Sequence, residues 1–224
     1  MLFLAVFCGF LAEYQLEHKI EKNRAKQYIS SFYEDLKTDT AEFARLMAID
    51  KNKLSVLSGV RSCYDTVINN PASAGCLEQI VRNSLSFINL VNTERTLQQL
   101  KNAGGMRMLK KEDADSIYAY DNSLRRYLGF ETSLFQERQT NLRNFYTELL
   151  NYPDMMALRF PADSFPGSDK KQLLFSADKK QLNKLFNQVS EYTQGVRTRL
   201  SFLTGLNSAA NRMLKYFNSK YHLE

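Results

Sequence analysis

From Leu2 to Asn69 the chain carries one sustained pattern. An apolar opening, Leu2 to Ala12, gives way to apolar residues recurring at spacings of three and four: Ile29, Phe32, Leu36, Phe43, Met47, Leu54, Leu57, Val60, Tyr64 and Val67. That period puts the side chains on one face of an α-helix, so the stretch predicts a single amphipathic rod, its stripe interrupted mainly at Asp39 and Asp50. Asn69, Asn70 and Pro71 end it. A second helix is predicted from about Cys76 to Phe87, with Leu77, Ile80, Val81 and Leu85 on one side. Asn92 or Thr93 offers an N-cap oxygen to a short helix ending at Ala103, and Gly104 and Gly105 close that helix in the left-handed conformation.

A third long helix is predicted to begin between Lys111 and Asp115, where Glu112, Asp113 and Asp115 suit the positive end of a helix dipole. Its stripe reads Ile117, Leu124, Leu128, Phe135, Leu142, Phe145 and Leu149. Glu131 and Arg138 fall on the same seven-residue register, either as a buried pair or as flanks of the seam. Flanking is preferred, because desolvating an ion pair often costs as much as the pair returns. Tyr152 to Ser176 holds Pro153, Pro161, Pro166 and Gly167 and reads as a long irregular connection, with the segment MMALRF able to pack back as an apolar flap. The last helix, about Ala177 to Tyr221, repeats every seven residues at Leu182, Val189, Val196, Leu203, Ala210 and Phe217. A partner series runs through Phe186, Thr193, Leu200, Asn207, Leu214 and Tyr221. Thr193 and Asn207 are its polar members.

Only 9 glycines and 4 prolines occur in 224 residues, which argues for long helices and few turns. The expected fold class is all-α, an antiparallel bundle of long helices continuing from an N-terminal membrane helix. Residues 1–16 are assigned to a membrane anchor, read as a truncated transmembrane helix, and residues 17–224 to the bundle, with the irregular connection at 152–176.

The anchor assignment rests on Leu2, Phe3, Leu4, Val6, Phe7, Phe10 and Leu11. A helix needs about 20 apolar residues to cross a bilayer, and the run ends at Ala12. Three readings stay open: half of a transmembrane helix, an interfacial anchor, or a buried helix end. A cleaved signal peptide is disfavoured, since no basic residue precedes the run and no small-residue cleavage site comes after it. Lys19, Lys22, Arg24 and Lys26 suit anionic lipid headgroups. The expected partner is a lipid bilayer at the N-terminus, and the expected location a single-pass placement in a bacterial cytoplasmic (inner) membrane, the side of the bundle left open.

The 30 basic and 24 acidic residues give a net charge of +6. The basic residues are dispersed and interleaved with acids, so nucleic acid is not an expected partner. The two histidines, His18 and His222, have no ligand-spaced neighbours, and neither a nucleophile elbow nor a phosphate loop is present. No catalytic residue, metal site or cofactor is assigned. Glu34, Asp35, Asp39 and Glu42 lie on successive turns and are read as a solvated charged face. Cys63 and Cys76 flank the first turn and can face each other across a hairpin, a bridge suited to an extracytoplasmic domain. Two reduced, buried thiols are the default.

FLAEYQLEHKIEKNRAKQYI running into EDLKTDT (Glu34 to Thr40), together with TERTLQQLKNAGGMRML (Thr93 to Leu109), resembles a family of uncharacterised bacterial proteins with one N-terminal membrane helix and a helical domain behind it. The resemblance covers the first two thirds of the chain. In that family the hydrophobic segment is longer and is preceded by further residues, which points to a missing half-span before Met1. The resemblance implies location and build and transfers no catalytic residue. The function expected is a non-enzymatic interaction or scaffold role toward a protein partner or a second copy, through the helical surface and the 152–176 connection. The alternative is a ligand-sensing bundle in which Glu131, Arg138, Thr193 and Asn207 line a polar pocket.

Overall fold

The computed structural model describes residues 2–102, 104–160, 173–175 and 178–223, with side chains from Val6 onward. Regular structure among them is helical, apart from one isolated bridge between Leu150 and Leu174. Helix α1 spans Leu2–Leu57 and α2 Val60–Asn69. The predicted rod is thus two helices. At the break the Ser58 amide still bonds to Leu54 O (2.9 Å), but the Gly59 amide closes more tightly on Val56 O (3.1 Å). Serine followed by glycine is the weakest helix-forming pair in this part of the chain.

No helix among the described residues is long and apolar enough to cross a membrane, which overturns the single-pass inner-membrane placement. The reason lies in α1. An eighteen-residue stretch starting at Leu2 already contains Glu13, Glu17 and Lys19, more charge than a span tolerates.

The chain divides into two compact units. The first comprises Met1–Ala44, Val91–Arg125 and Gly205–Glu224. Helix α4 (Arg95–Asn102) and most of α5 (Lys111–Phe130) belong to it. Its core is built from Ile29, Phe32, Leu36, Phe43, Leu97, Leu100, Ile117, Leu124 and Phe217. The Phe32 ring meets the Tyr120 and Phe217 rings edge-on, with centroids at 6.1 and 6.3 Å.

The start of α4 corrects two expectations. Its free amides are not capped by Asn92 or Thr93 side chains; Asp39 accepts from the Thr93 amide at 2.8 Å and Asp35 from the Thr96 amide at 3.2 Å. Asp39 also accepts from the Tyr120 hydroxyl at 2.9 Å. These two carboxylates are therefore buried rather than solvated, because amides at a helix N-terminus supply the donors that water would otherwise supply. Gly104 adopts φ 70°, the left-handed stop expected after α4. Near the end of the chain, Asp113 accepts from Tyr216, Lys220 and Tyr221 at 2.7, 2.6 and 2.5 Å. Burial alone would raise its pKa, but those donors together hold it below the ordinary carboxylate value.

The second unit comprises Arg45–Leu90 and Arg126–Thr204. It contains α2, α3 (Gly75–Leu85), α6 (Gln136–Leu149), α7 (Tyr152–Arg159) and most of α8 (Lys179–Tyr221). Cys63 of α2 and Cys76 of α3 are bonded, with Cα atoms 5.7 Å apart, so the reduced-thiol default is replaced by a disulfide that staples this hairpin. Where the sequence predicts an irregular connection from Tyr152, α7 forms, with Pro153 in its first turn, where a missing amide costs nothing. Met155 is buried, and Met156 and Leu158 pack against the core, so MMALRF turns inward through a helix. Pro161, Pro166 and Gly167 lie outside the described residues.

Between α5 and α6 the helix takes one π turn, Glu131–Phe135. An inserted residue shifts the buried register: Tyr127 and Glu131 precede Phe135, Gln139, Leu142 and Tyr146 at successive spacings of four before the three–four alternation returns. Phe135 stacks on Tyr192 (5.9 Å) and seats on Gly195 of α8, where an added Cβ would lie 2.9 Å from Phe135 Cδ2. Gly195→Ala is expected to lower stability by about 1–3 kcal/mol although alanine favours helix, because the ring has a buried partner on its other face. Urea unfolding checks this, and Phe135→Leu in the same chain should recover most of the loss.

Candidate functional site

The first candidate is a cluster of charges inside the second unit. Asp50 of α1 and Arg199 of α8 are each 1% exposed in the side chain, and Oδ2 lies 3.0 Å from Nε. The pair is an ion contact without hydrogen-bond alignment: Arg199 Nε and both Asp50 oxygens have no in-line partner. The guanidinium also lies over the Phe135 ring at 5.2 Å. One turn along α1, Lys53 donates to Ser86 O (2.5 Å) and to the Tyr192 hydroxyl (3.1 Å). Glu131 accepts from the Tyr127 hydroxyl (2.5 Å) and from the Leu90 amide (3.1 Å).

Burial pushes the Asp50 carboxyl up to about 6 against the pull of Arg199 and Lys53, and pushes the Lys53 ammonium down to about 8 against Asp50. The Tyr127 and Tyr192 hydroxyls are raised, chiefly by burial. Perturbed groups of this kind gather at active sites, but also in structural networks. Here Lys53 and Glu131 hold backbone groups of the non-helical segment after α3, at Ser86 and Leu90. Their work is to satisfy a connection that has no helix bonds of its own. No group of three or more His, Cys, Asp or Glu among the described residues is arranged to hold a metal ion.

The four residues expected to share a polar pocket make separate contacts. Glu131 is 2% exposed and bound as above. Arg138 is instead half-buried, its Nη2 3.3 Å from the exposed Glu191. The π turn between them explains the separation: one extra residue rotates Arg138 off the register that buries Glu131. Thr193 is buried and donates to Val189 O at 2.7 Å. Asn207 belongs to the first unit, accepting from Asn211 at 3.1 Å through its side-chain oxygen. Arg199 is the residue that sequence reasoning missed. It stands three residues after Val196, on the register Leu185, Tyr192, Arg199, Leu206, Met213, which α8 buries in preference to the series through Thr193 and Asn207. The available signal was a cation among four apolar residues at seven-residue spacing, facing the interruption at Asp50.

The second candidate is a groove of ≈ 450 Å³ in the same unit, between the α1–α2 junction and one face of α8. Its apolar side is Leu57, Val60, Tyr64 and Phe186, the two rings meeting edge-on at 5.3 Å. Its polar lining is Arg61, Asn183, Asn187, Ser190, Thr193 and Arg197.

The third is the beginning of α1. Residues 6–24 are exposed throughout. Val6 (53%), Phe10 (68%), Leu11 (47%) and Tyr14 (68%) fall on one face of the helix, with Leu16 and Ile20 beyond them. Phe7, between them, is 54% exposed, and the side chains of Leu2, Phe3 and Leu4 lie outside the described residues. Cys8, on this segment, is the free cysteine among the described residues. No protein-family model, curated protein or solved structure matches the chain.

Proposed function

We propose that this chain is a non-enzymatic interaction protein that engages a groove on a protein partner through the first turns of α1. The exposure of residues 6–24 carries this reading: a helix face bearing Val6, Phe10, Leu11 and Tyr14 is apolar surface of the kind that marks a docking element. Anchors at i, i+4, i+5 and i+8 are the pattern of an amphipathic helix laid into a hydrophobic groove, with the charges from Glu13 to Lys26 forming its rim. The non-enzymatic part is supported by the buried charges, whose partners are backbone groups and each other rather than an open cleft.

An antiparallel arrangement of α1 and α8 is part of the proposal. Within the second unit the contacts Met47–Thr204, Asp50–Arg199 and Lys53–Tyr192 ascend one helix while descending the other, which supports it. The disulfide supports an oxidising compartment.

Cys8 supplies the handle for the test. With Cys63 and Cys76 bonded, a photoactivatable maleimide attached to the native chain labels Cys8. Irradiation in extracts of the source cells should give one discrete adduct, and Phe10→Asp should abolish it while leaving the thermal unfolding profile unchanged. An adduct equally strong with Phe10→Asp, or a featureless smear from both chains, overturns the proposal.

A further inference from the structure

We infer that the groove between the α1–α2 junction and α8 binds a small organic anion, a phosphate or carboxylate group carried on an apolar body. The site is separate from the α1 docking face, so either reading can fail without the other.

The described lining of the groove carries two cations, Arg61 and Arg197, with Asp65 beside it on Arg61. Arg197 has no ion-pair or hydrogen-bond partner among the described residues, and Arg61 engages Asp65 through Nε alone at 3.2 Å, leaving both terminal nitrogens of its fork uncommitted. No acidic side chain among the described residues lines the groove. One turn toward the start of α8, Lys179 and Lys180 occupy the same helical face as Asn183 and Asn187. Arginine forks match phosphate and carboxylate oxygens in pairs, and two forks with amide donors beside them make a receptor for one oxyanion. The Ser190 and Thr193 hydroxyls give their hydrogens to Phe186 O and Val189 O, so the donors facing the groove are those of arginine and asparagine.

The apolar part of the lining sets the rest of the ligand. Tyr64 and Phe186, crossed at 78°, with Leu57 and Val60, form an apolar bed beside the cations. A cleft of ≈ 450 Å³ is of a size that takes one small molecule, and its mixed lining selects an anion with an apolar portion over a bare ion.

Phenyl phosphate is the probe, titrated into the full 15N-labelled chain, with inorganic phosphate, benzylamine and a hexaglutamate peptide as comparisons. Saturable amide shifts confined to residues 57–64 and 183–197 are expected, with phenyl phosphate about tenfold tighter than inorganic phosphate and benzylamine without effect. Arg197→Ala should weaken phenyl phosphate about tenfold and Arg197→Lys less. Arg197 is exposed, so both variants should keep the parent unfolding midpoint. The inference is overturned if no saturable shift occurs, if benzylamine gives the same shifts, if Arg197→Ala binds as the parent does, or if hexaglutamate binds more tightly than phenyl phosphate.

Discussion

Asp50→Ala is expected to lower the unfolding free energy by about 3–5 kcal/mol. The magnitude comes from the charge that stays behind. Arg199 is 1% exposed, and with Asp50 gone its guanidinium sits in the core over the Phe135 ring without the carboxylate that neutralised it. Replacing both partners, Asp50→Leu with Arg199→Met, should return most of the loss, since neither desolvation cost is then incurred. Denaturant titration of the parent, the single and the double variant decides it. A double variant as unstable as Asp50→Ala would mean that the pair contributes more than mutual neutralisation.

The pH dependence has a definite sign. Asp50 holds its proton up to about 6 in the folded chain, against an ordinary value of 3.8. Between those limits the folded state binds more protons than the unfolded state, so this carboxyl makes stability fall as pH rises through that window. Lys53 acts oppositely. Its folded value of about 8 lies under the ordinary 10.5, the unfolded state binds more protons between them, and stability rises with pH there. The double variant should remove Asp50's share of the acidic slope, while Lys53, shifted chiefly by burial and losing one raising and one lowering neighbour, should keep its alkaline one.

Cys63→Ser together with Cys76→Ser is expected to cost about 2–4 kcal/mol, chiefly by freeing a closed loop in the unfolded chain. The sequence separation is 13, and α2 and α3 each bury their inner face against the core of the second unit, so loosening the hairpin uncovers both. Mass measurement after alkylation, with and without reductant, should show one labelled thiol in the untreated native chain and three after reduction. Three labels without reductant would dismiss the bridge and with it the argument for an oxidising compartment.

The long helices are legible in the sequence because period and burial have the same cause. On α1 the two breaks in the apolar stripe, Asp39 and Asp50, are the buried carboxylates themselves, at 2% and 0% exposure. Their role is hidden by the distance along the chain to their partners: the Thr93 amide for Asp39, Arg199 for Asp50. A lone carboxylate on a stripe reads as an interruption until its donor is known. The α8 seam is half legible. Two registers differ by one residue, and the one through Arg199 looks the poorer because it contains a cation, which burial selects only when a counter-charge faces it. The π turn leaves no local signal, as Glu131 to Phe135 has ordinary helix-forming composition; only the misfit between Glu131 buried and Arg138 half-buried, seven residues on, betrays an extra residue. The apolar opening suggests membrane crossing because its run to Ala12 resembles the start of a span, while Glu13, Glu17 and Lys19 set its limit.

From Val6 to Arg24 every side chain of α1 faces solvent, so the winding of that segment is sustained by its own backbone bonds. Most helical stability in proteins comes from packing of an amphipathic face, so a segment whose side chains face solvent is held more weakly than the packed part of α1 that it continues. A partner seated on Phe10 and Leu11, as proposed, would select among wound and unwound conformers, and its apparent dissociation constant would be the intrinsic one divided by the helical fraction already present. Temperature or solvent changes that alter that fraction then tune occupancy without touching a single interfacial atom.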